Sequence, residues 1–197
     1  MKTIIEFLQE IYPLTDASAE QLQRCFERKH YRAATVLLKA GEVCKKLYFV
    51  EKGLARRFEI NEHGEDITSN FMAEFDIIQS PSSFFSQKPA LDNIELLENS
   101  TLWEIYYQDL KLLQSQYNDI AMLSLGILEK VPQRYEHRIR QLRDLTTKEY
   151  YNYFTAVFPT VAVRAQIQHI ATYLGTTPNN LSRVRKELLE LQLGLNC

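Results

Sequence analysis

Three cysteines are all that this chain of 197 residues contains, Cys25, Cys44 and Cys197. They stand too far apart for the paired spacings that hold zinc or an iron–sulfur cluster, so free thiols in a reducing compartment are expected and no metal site is assigned. Glycine is nearly as scarce, at six residues, and none builds a glycine-rich loop of the kind that cradles nucleotide phosphates. An HExxH metal motif and a nucleophile elbow are also missing. His63 sits among Glu62, Glu65 and Asp66, but these neighbours crowd a turn, where charges are solvated rather than arranged for proton transfer. No catalytic residue is assigned, and the chain is not expected to be an enzyme. No apolar run approaches the length of a membrane span, and the opening "MKTIIEFLQEIYPL" lacks the long apolar core and small-residue cleavage site of a signal peptide. A cytoplasmic protein with no membrane partner is expected.

Net charge is also small, but it is unevenly placed. Residues 1–130 carry 14 Lys and Arg against 20 Asp and Glu, and residues 131–197 carry 9 against 5. A basic last third on an otherwise acidic chain suggests that the tail meets an anionic partner. With 45% apolar residues the chain can bury a substantial core, in one large or two small domains.

Two helical patterns open the chain: Ile4, Ile5, Leu8 and Ile11 recur at helical spacing, and "SAEQLQRCFERKHY" is amphipathic with Ser18 as its expected cap. From Thr35 to Met72 the character changes to short strands rich in Val, Leu, Phe and Tyr. Gly41, Gly53 and the turn "NEHGED" around Gly64 punctuate them. This spacing predicts a compact antiparallel sandwich or roll. A two-proline loop, "SPSSFFSQKPALDN", precedes strand-like "IELLENSTLWEIYY", which should close the sheet.

A helical region follows, from Asp109 to about Arg143. Within it Ala121, Leu125, Leu128, Pro132, Tyr135, Ile139 and Leu142 fall at alternating four- and three-residue steps. Such a seam either packs on its own sheet or joins two subunits through a symmetric helix pair. Pro132, lacking an amide hydrogen, should kink the helix.

Near the end, "HIATYLGTTPNNLSRVRKELLE" carries the chemistry. Ile167, Ile170, Ala171 and Leu174 form one apolar face, Gly175 can end that helix in the left-handed conformation, and Thr177-Pro178 can start the next. The second helix turns Leu181, Val184 and Leu188 inward. Asn179, Arg183 and Lys186 then point outward, flanked by Asn180 and Ser182. Arginine can pair bidentately with guanine and asparagine with adenine, while serine, threonine and lysine can hold phosphates. A solvated helical hairpin is the alternative reading of the same pattern.

The β-roll-like "LLKAGEVCKKLYFVEKGLARRFEINEHGEDIT", the long central helix and "IQHIATYLGTTPNNLSRVRKEL", with "TTKEYYNYFTAVFP" before it, together resemble the Crp/Fnr family of bacterial transcription regulators over nearly the whole chain. The resemblance implies an α+β protein in three parts. These are a cyclic-nucleotide-binding-like antiparallel β-roll (a double-stranded β-helix with flanking helices) over 1–109, a dimerisation helix over 110–143, and a winged helix-turn-helix over 144–197. It also implies a homodimer on double-stranded DNA with a roughly palindromic operator, and RNA polymerase as a further partner. Thr177, Asn179, Asn180, Ser182, Arg183 and Lys186 become the DNA-binding residues, with Asn179 and Arg183 at base-reading positions. Ala121, Leu125, Leu128, Tyr135, Ile139 and Leu142 become the dimer interface. The sequence departs from the family in its sensor half. "AEFDIIQSPSSFFSQKPALDNIELLE" lacks the Gly-Glu pair and the phosphate-binding arginine of members that take cyclic nucleotides, and Lys88 is the sole cation of that loop. Classical cyclic AMP binding is therefore not expected and the effector is unassigned. The N-terminal cysteine cluster of the iron–sulfur members is absent. His30, His63, His137 and His169 are only weak candidates for a haem ligand. The alternative to a DNA-binding regulator is a non-enzymatic ligand-binding or protein-interaction module.

Overall fold

A computed structural model describes residues 4–192 and Gly194. Two helices, α1 (Ile4–Gln9) and α2 (Asp16–Cys25), lead into eight strands: β1 (Glu27–Tyr31), β2 (Val36–Leu38), β3 (Lys46–Lys52), β4 (Ala55–Ile60), β5 (Asp66–Met72), β6 (Ile77–Ile78), β7 (Asn93–Leu96) and β8 (Ser100–Tyr106). A short helix, α3 (Pro81–Ser86), lies between β6 and β7. Then follow α4 (Tyr107–Gln116), the 27-residue α5 (Asn118–Asp144), α6 (Thr147–Val157), α7 (Pro159–Arg164), α8 (Ile167–Tyr173) and α9 (Pro178–Gln192).

The strands make two antiparallel four-stranded sheets, in the orders β1-β8-β3-β6 and β2-β7-β4-β5. The late strands β7 and β8 each insert between earlier ones, so the roll closes only when residues 93–106 arrive. Gly53 sits at the β3–β4 reversal with φ +131, its Cα facing Ser100 so closely that an added Cβ would lie 2.1 Å from the serine Oγ. Glycine is required there on both conformational and steric grounds.

Three local expectations are corrected. The cap of α2 is Thr15, whose Oγ1 accepts from the Ser18 amide at 3.3 Å; Ser18 itself is buried and donates its hydroxyl to Asp119 of α5 at 2.5 Å. The amphipathic segment read as continuing through Tyr31 ends at Cys25, because Glu27–Tyr31 is drawn out as a strand along β8, with Lys29 opposite Leu102. The two-proline loop contains α3, begun by Pro81 at its first position. Helix α5 runs through Pro132 without interruption.

A first core takes in both sheets, α1, α2, α4 and the start of α5, around Leu22, Phe49, Ile78, Ile94, Leu96, Leu102 and Ile120. A second joins α6–α9 to the roll: Phe154, Ile170, Ala171, Leu174, Leu181 and Val184 pack with Leu54 of the β3–β4 turn and Phe71 of β5. The Phe71 ring lies 5.3 Å from Tyr173 and 6.1 Å from Phe154. The C-terminal helices thus share their core with the β-roll. Residues 144–192 contain helices and no strand among the described residues, so no wing hairpin is seen there.

Candidate nucleic-acid interface

Helix α8 ends as the sequence predicts: Gly175 takes φ +68 and the Thr176 amide donates back to the Ala171 carbonyl at 2.9 Å. Thr177 then accepts from the Asn180 amide at 3.2 Å, which supplies a donor of the first turn of α9 with a partner, and Pro178 opens the helix. Leu181 and Val184 are buried against α8, where the small Ala171, fully buried, allows close approach. The opposite face exposes Asn179, Ser182, Arg183 and Lys186, and Arg185 is exposed beside them.

These side chains differ in readiness. Asn179 is exposed, whereas Ser182 donates to the Pro178 carbonyl of its own helix at 2.8 Å. Lys186 lies 3.8 Å from Glu190 in an exposed i,i+4 pair. Arg183 is held twice, donating through Nη2 to Asn180 Oδ1 at 2.9 Å and through Nη1 to Glu187. Asn180 is half-buried, and its Nδ2 turns inward to Thr176 Oγ1 at 2.8 Å and Thr147 Oγ1 at 3.4 Å.

The placement of α9 is fixed through α8. The Thr68 amide of β5 donates to Thr172 Oγ1 at 3.1 Å. Arg138 of α5 reaches across to the carbonyls of Ser69, Thr68 (3.3 Å) and Tyr173 (3.0 Å), its guanidinium 4.4 Å above the Tyr173 ring. Arg164 at the end of α7 forks onto Glu74 (2.8 and 2.9 Å) and Glu98 (2.6 and 3.1 Å) of the roll. His169 is buried at the same junction, where desolvation, reinforced by nearby Arg56, lowers its pKa.

Sequence reasoning missed the two adjacent arginines of β4. Both are buried, and alternation along the strand sends them to opposite sides. Arg56 pairs with Asp66 and with Glu95 at 2.6 Å and covers the Phe58 ring. Arg57 pairs with Asp92 at 3.1 Å and donates to the Tyr135 hydroxyl of α5. It lines a cavity of about 160 Å³ between the roll and α5, whose walls include Phe75, Gln79, Val131, Tyr135 and Arg138. The fold brings Arg57 and Arg138 to this cavity from a strand and a helix, while Lys88, the cation of the loop, is exposed and off the cavity wall. Two polar residues near one another, as Arg57 and Asp92 are across strands, leave no signal at short sequence spacing.

Along α5, Leu125, Leu128, Tyr135, Ile139 and Leu142 are all exposed, and Ala121 is half-buried. Tyr135 meets Arg57 of β4 and Leu142 lies beside Gly175, so the seam is partly engaged within the chain, while Leu125, Leu128 and Ile139 leave apolar surface open. His30, His63 and His137 are exposed; His30 meets Thr101 and His137 meets Tyr153. Among the described residues no three His, Cys, Asp or Glu side chains cluster as a metal site, and no helix is long and apolar enough to cross a membrane. Cys25 and Cys44 are free thiols, and Cys197 lies outside the described residues.

Comparison with known proteins agrees with this architecture. Residues 28–117 match the family described as cyclic nucleotide-binding domain. Over 192 residues, 91% of this chain and 70% of the relative, the sequence is 23% identical to a protein called anaerobic regulatory protein from Pasteurella multocida strain Pm70. Among solved structures, FixK2 from Bradyrhizobium japonicum superposes with a TM-score of 0.76 at 16% identity, covering 85% of this chain and 86% of that one. A transcriptional regulator of the Crp/Fnr family from Eubacterium rectale gives 0.69 at 16% identity, covering 92% and 88%. CLP from Xanthomonas campestris, described as a c-di-GMP responsive global regulator, gives 0.67 at 15% identity, covering 91% and 94%.

Proposed function

We propose, on the premise that this chain is of the Crp/Fnr type in its domain and its fold, that it is a homodimeric transcription regulator binding double-stranded DNA. The observation that carries the reading is the two-faced α9. Leu181 and Val184 are buried in a core shared with the β-roll, while Asn179, Ser182, Arg183 and Lys186 are left exposed on one side. The exposed apolar seam of α5 supports a symmetric helix pair, which would set two α9 helices into successive major grooves about 34 Å apart. Within this reading residues 1–109 form the sensor-like unit, 110–143 the dimer helix and 144–197 the DNA-binding unit. Arg183 and Asn179 read base edges; Thr177, Ser182 and Lys186 bear on phosphates.

The test is selection of sites from random duplex DNA by the purified protein, with Arg183→Ala alongside. A recurring palindrome that the variant loses supports the reading. Arg183→Ala should then cost about 1–3 kcal/mol at one base position, and Lys186→Ala should weaken all sequences alike and lower the salt slope. A monomer with no salt-dependent affinity for DNA would refute the proposal and favour an interaction module.

A further inference from the structure

The arginine at the centre of the exposed face of α9 is clamped from both sides along its own helix. Asn180, three residues before Arg183, accepts from Nη2 at 2.9 Å, and Glu187, four residues after, takes Nη1. Asn180 is itself immobilised: its amide nitrogen bonds Thr176 and Thr147 and its backbone bonds Thr177, so its remaining acceptor faces Arg183. A half-buried side chain with both functional atoms engaged is poorly placed to reach a base edge.

We propose that Asn180 and Glu187 are positioning residues for Arg183, and that Glu187 limits sequence specificity by competing with DNA for the guanidinium. This deepens, and rests on, the DNA-binding reading. Arginine carries large rotamer entropy, so a fork held by Asn180 arrives at the groove already ordered. The Arg183–Glu187 pair is exposed, with side chains 65% and 39% accessible, and exposed i,i+4 pairs are weak. A guanine edge offering two acceptors can therefore displace the carboxylate. At a sequence that lacks such an edge the pair stays closed and Glu187 costs little, whereas at the guanine edge the pair must open and leaves a free carboxylate beside the DNA. Glu187 therefore weakens the selected site more than random DNA and holds the specificity ratio down.

The experiment uses the full-length protein, a site selected by the wild type, and a random duplex of equal length. Affinities are measured over a salt series for wild type, Glu187→Gln, Arg183→Ala and the double variant. Glu187→Gln should tighten the selected site roughly threefold to tenfold, since the pair no longer has to open there. Random DNA should gain less, so that the specificity ratio rises. In the Arg183→Ala background the effect of Glu187→Gln on that ratio should vanish, which a purely structural role would not produce. Asn180→Ala should weaken the selected site about tenfold while leaving random DNA nearly unchanged. Equal changes on both DNAs, or an effect that persists without Arg183, would overturn the inference. Those outcomes leave the DNA-binding reading standing, whereas failure of the wild type to enrich any sequence overturns both.

Discussion

Replacing Arg164 with methionine tests how the C-terminal helices are held to the roll. The arginine is about three-quarters buried and bonds four carboxylate oxygens, two on Glu74 and two on Glu98, both acids being about two-thirds buried. The Gly53 amide adds a further bond to Glu74 at 2.9 Å. Hydrogen bonds to charged groups contribute about 1.5–3 kcal/mol, and this site lies between an exposed pair, worth under about 1 kcal/mol, and a buried one, where losing a partner costs about 3–5. A loss of about 2 kcal/mol at pH 7 follows, or a melting temperature lower by about 4–8 °C. The pH dependence gives a second handle. Burial opposes ionisation of Glu74, but the Arg164 fork and the Gly53 amide outweigh it and hold the carboxyl below its ordinary range. A folded pKa below the unfolded one gives stability that is fully present above the unfolded value, near 4.3, and is lost as pH falls through the folded value. The gap between wild type and Arg164→Met, read by circular dichroism melts, should therefore be constant from about pH 7.5 to 5.5 and narrow below about pH 4. A variant melting within about 1 °C of wild type at pH 7, or a gap unchanged at acid pH, would refute the reasoning.

Ile139 is 61% exposed on the α5 seam. If it meets its counterpart across a dimer axis, Ile139→Asp should give a monomer by light scattering while far-UV dichroism stays unchanged; a dimer of unaltered affinity would count against the helix pair. Gly53→Ala must accommodate a Cβ 2.1 Å from Ser100 Oγ at φ +131. A loss of about 3 kcal/mol or more is expected by urea denaturation, and a loss below about 1 would show that the reversal relaxes.

The parts of this fold that were legible in the sequence are those decided within a few residues. The turn around Gly64, the Gly175 helix end and the Thr177-Pro178 start all depend on neighbouring backbone, and they stand where the pattern put them. Strand β1 was misread because "CFERKHY" has a helical apolar spacing. Its strand state comes from pairing with β8, whose residues lie some seventy positions away. Shorter separations still hid the burial of Arg56 and Arg57: Asp66 reaches Arg56 from the next strand, and Glu95 and Asp92 come from the end of the roll, through sheet register. The exposed face of α9 is a mixed case. Its residues follow from helical periodicity, but the inward turn of the Asn180 amide rests partly on Thr147 of α6, a contact that no spacing on α9 announces.

Whether the roll and the C-terminal helices unfold together can be argued from two residues. Arg138 links α5 to carbonyls on β5 and α8, and Phe71 of β5 stacks with Phe154 of α6 and Tyr173 of α8. A ring removed from a core costs about 3–5 kcal/mol, more than the roughly 1.5–3 kcal/mol of a charged hydrogen-bonded fork. The aromatic contact should therefore carry most of the coupling. The single tryptophan, Trp103, lies in β8 and reports on the roll alone, while far-UV dichroism is dominated by the helices. In urea, wild type and Arg138→Met should each show coincident transitions by both probes, the variant at a lower midpoint. Phe71→Ala should separate them, the dichroism moving ahead of the fluorescence and each slope becoming shallower, as for a smaller cooperative unit. Separation in Arg138→Met with coincidence in Phe71→Ala would reverse the ranking and make the α5 guanidinium, not the aromatic core, the joint through which the roll governs the position of α9.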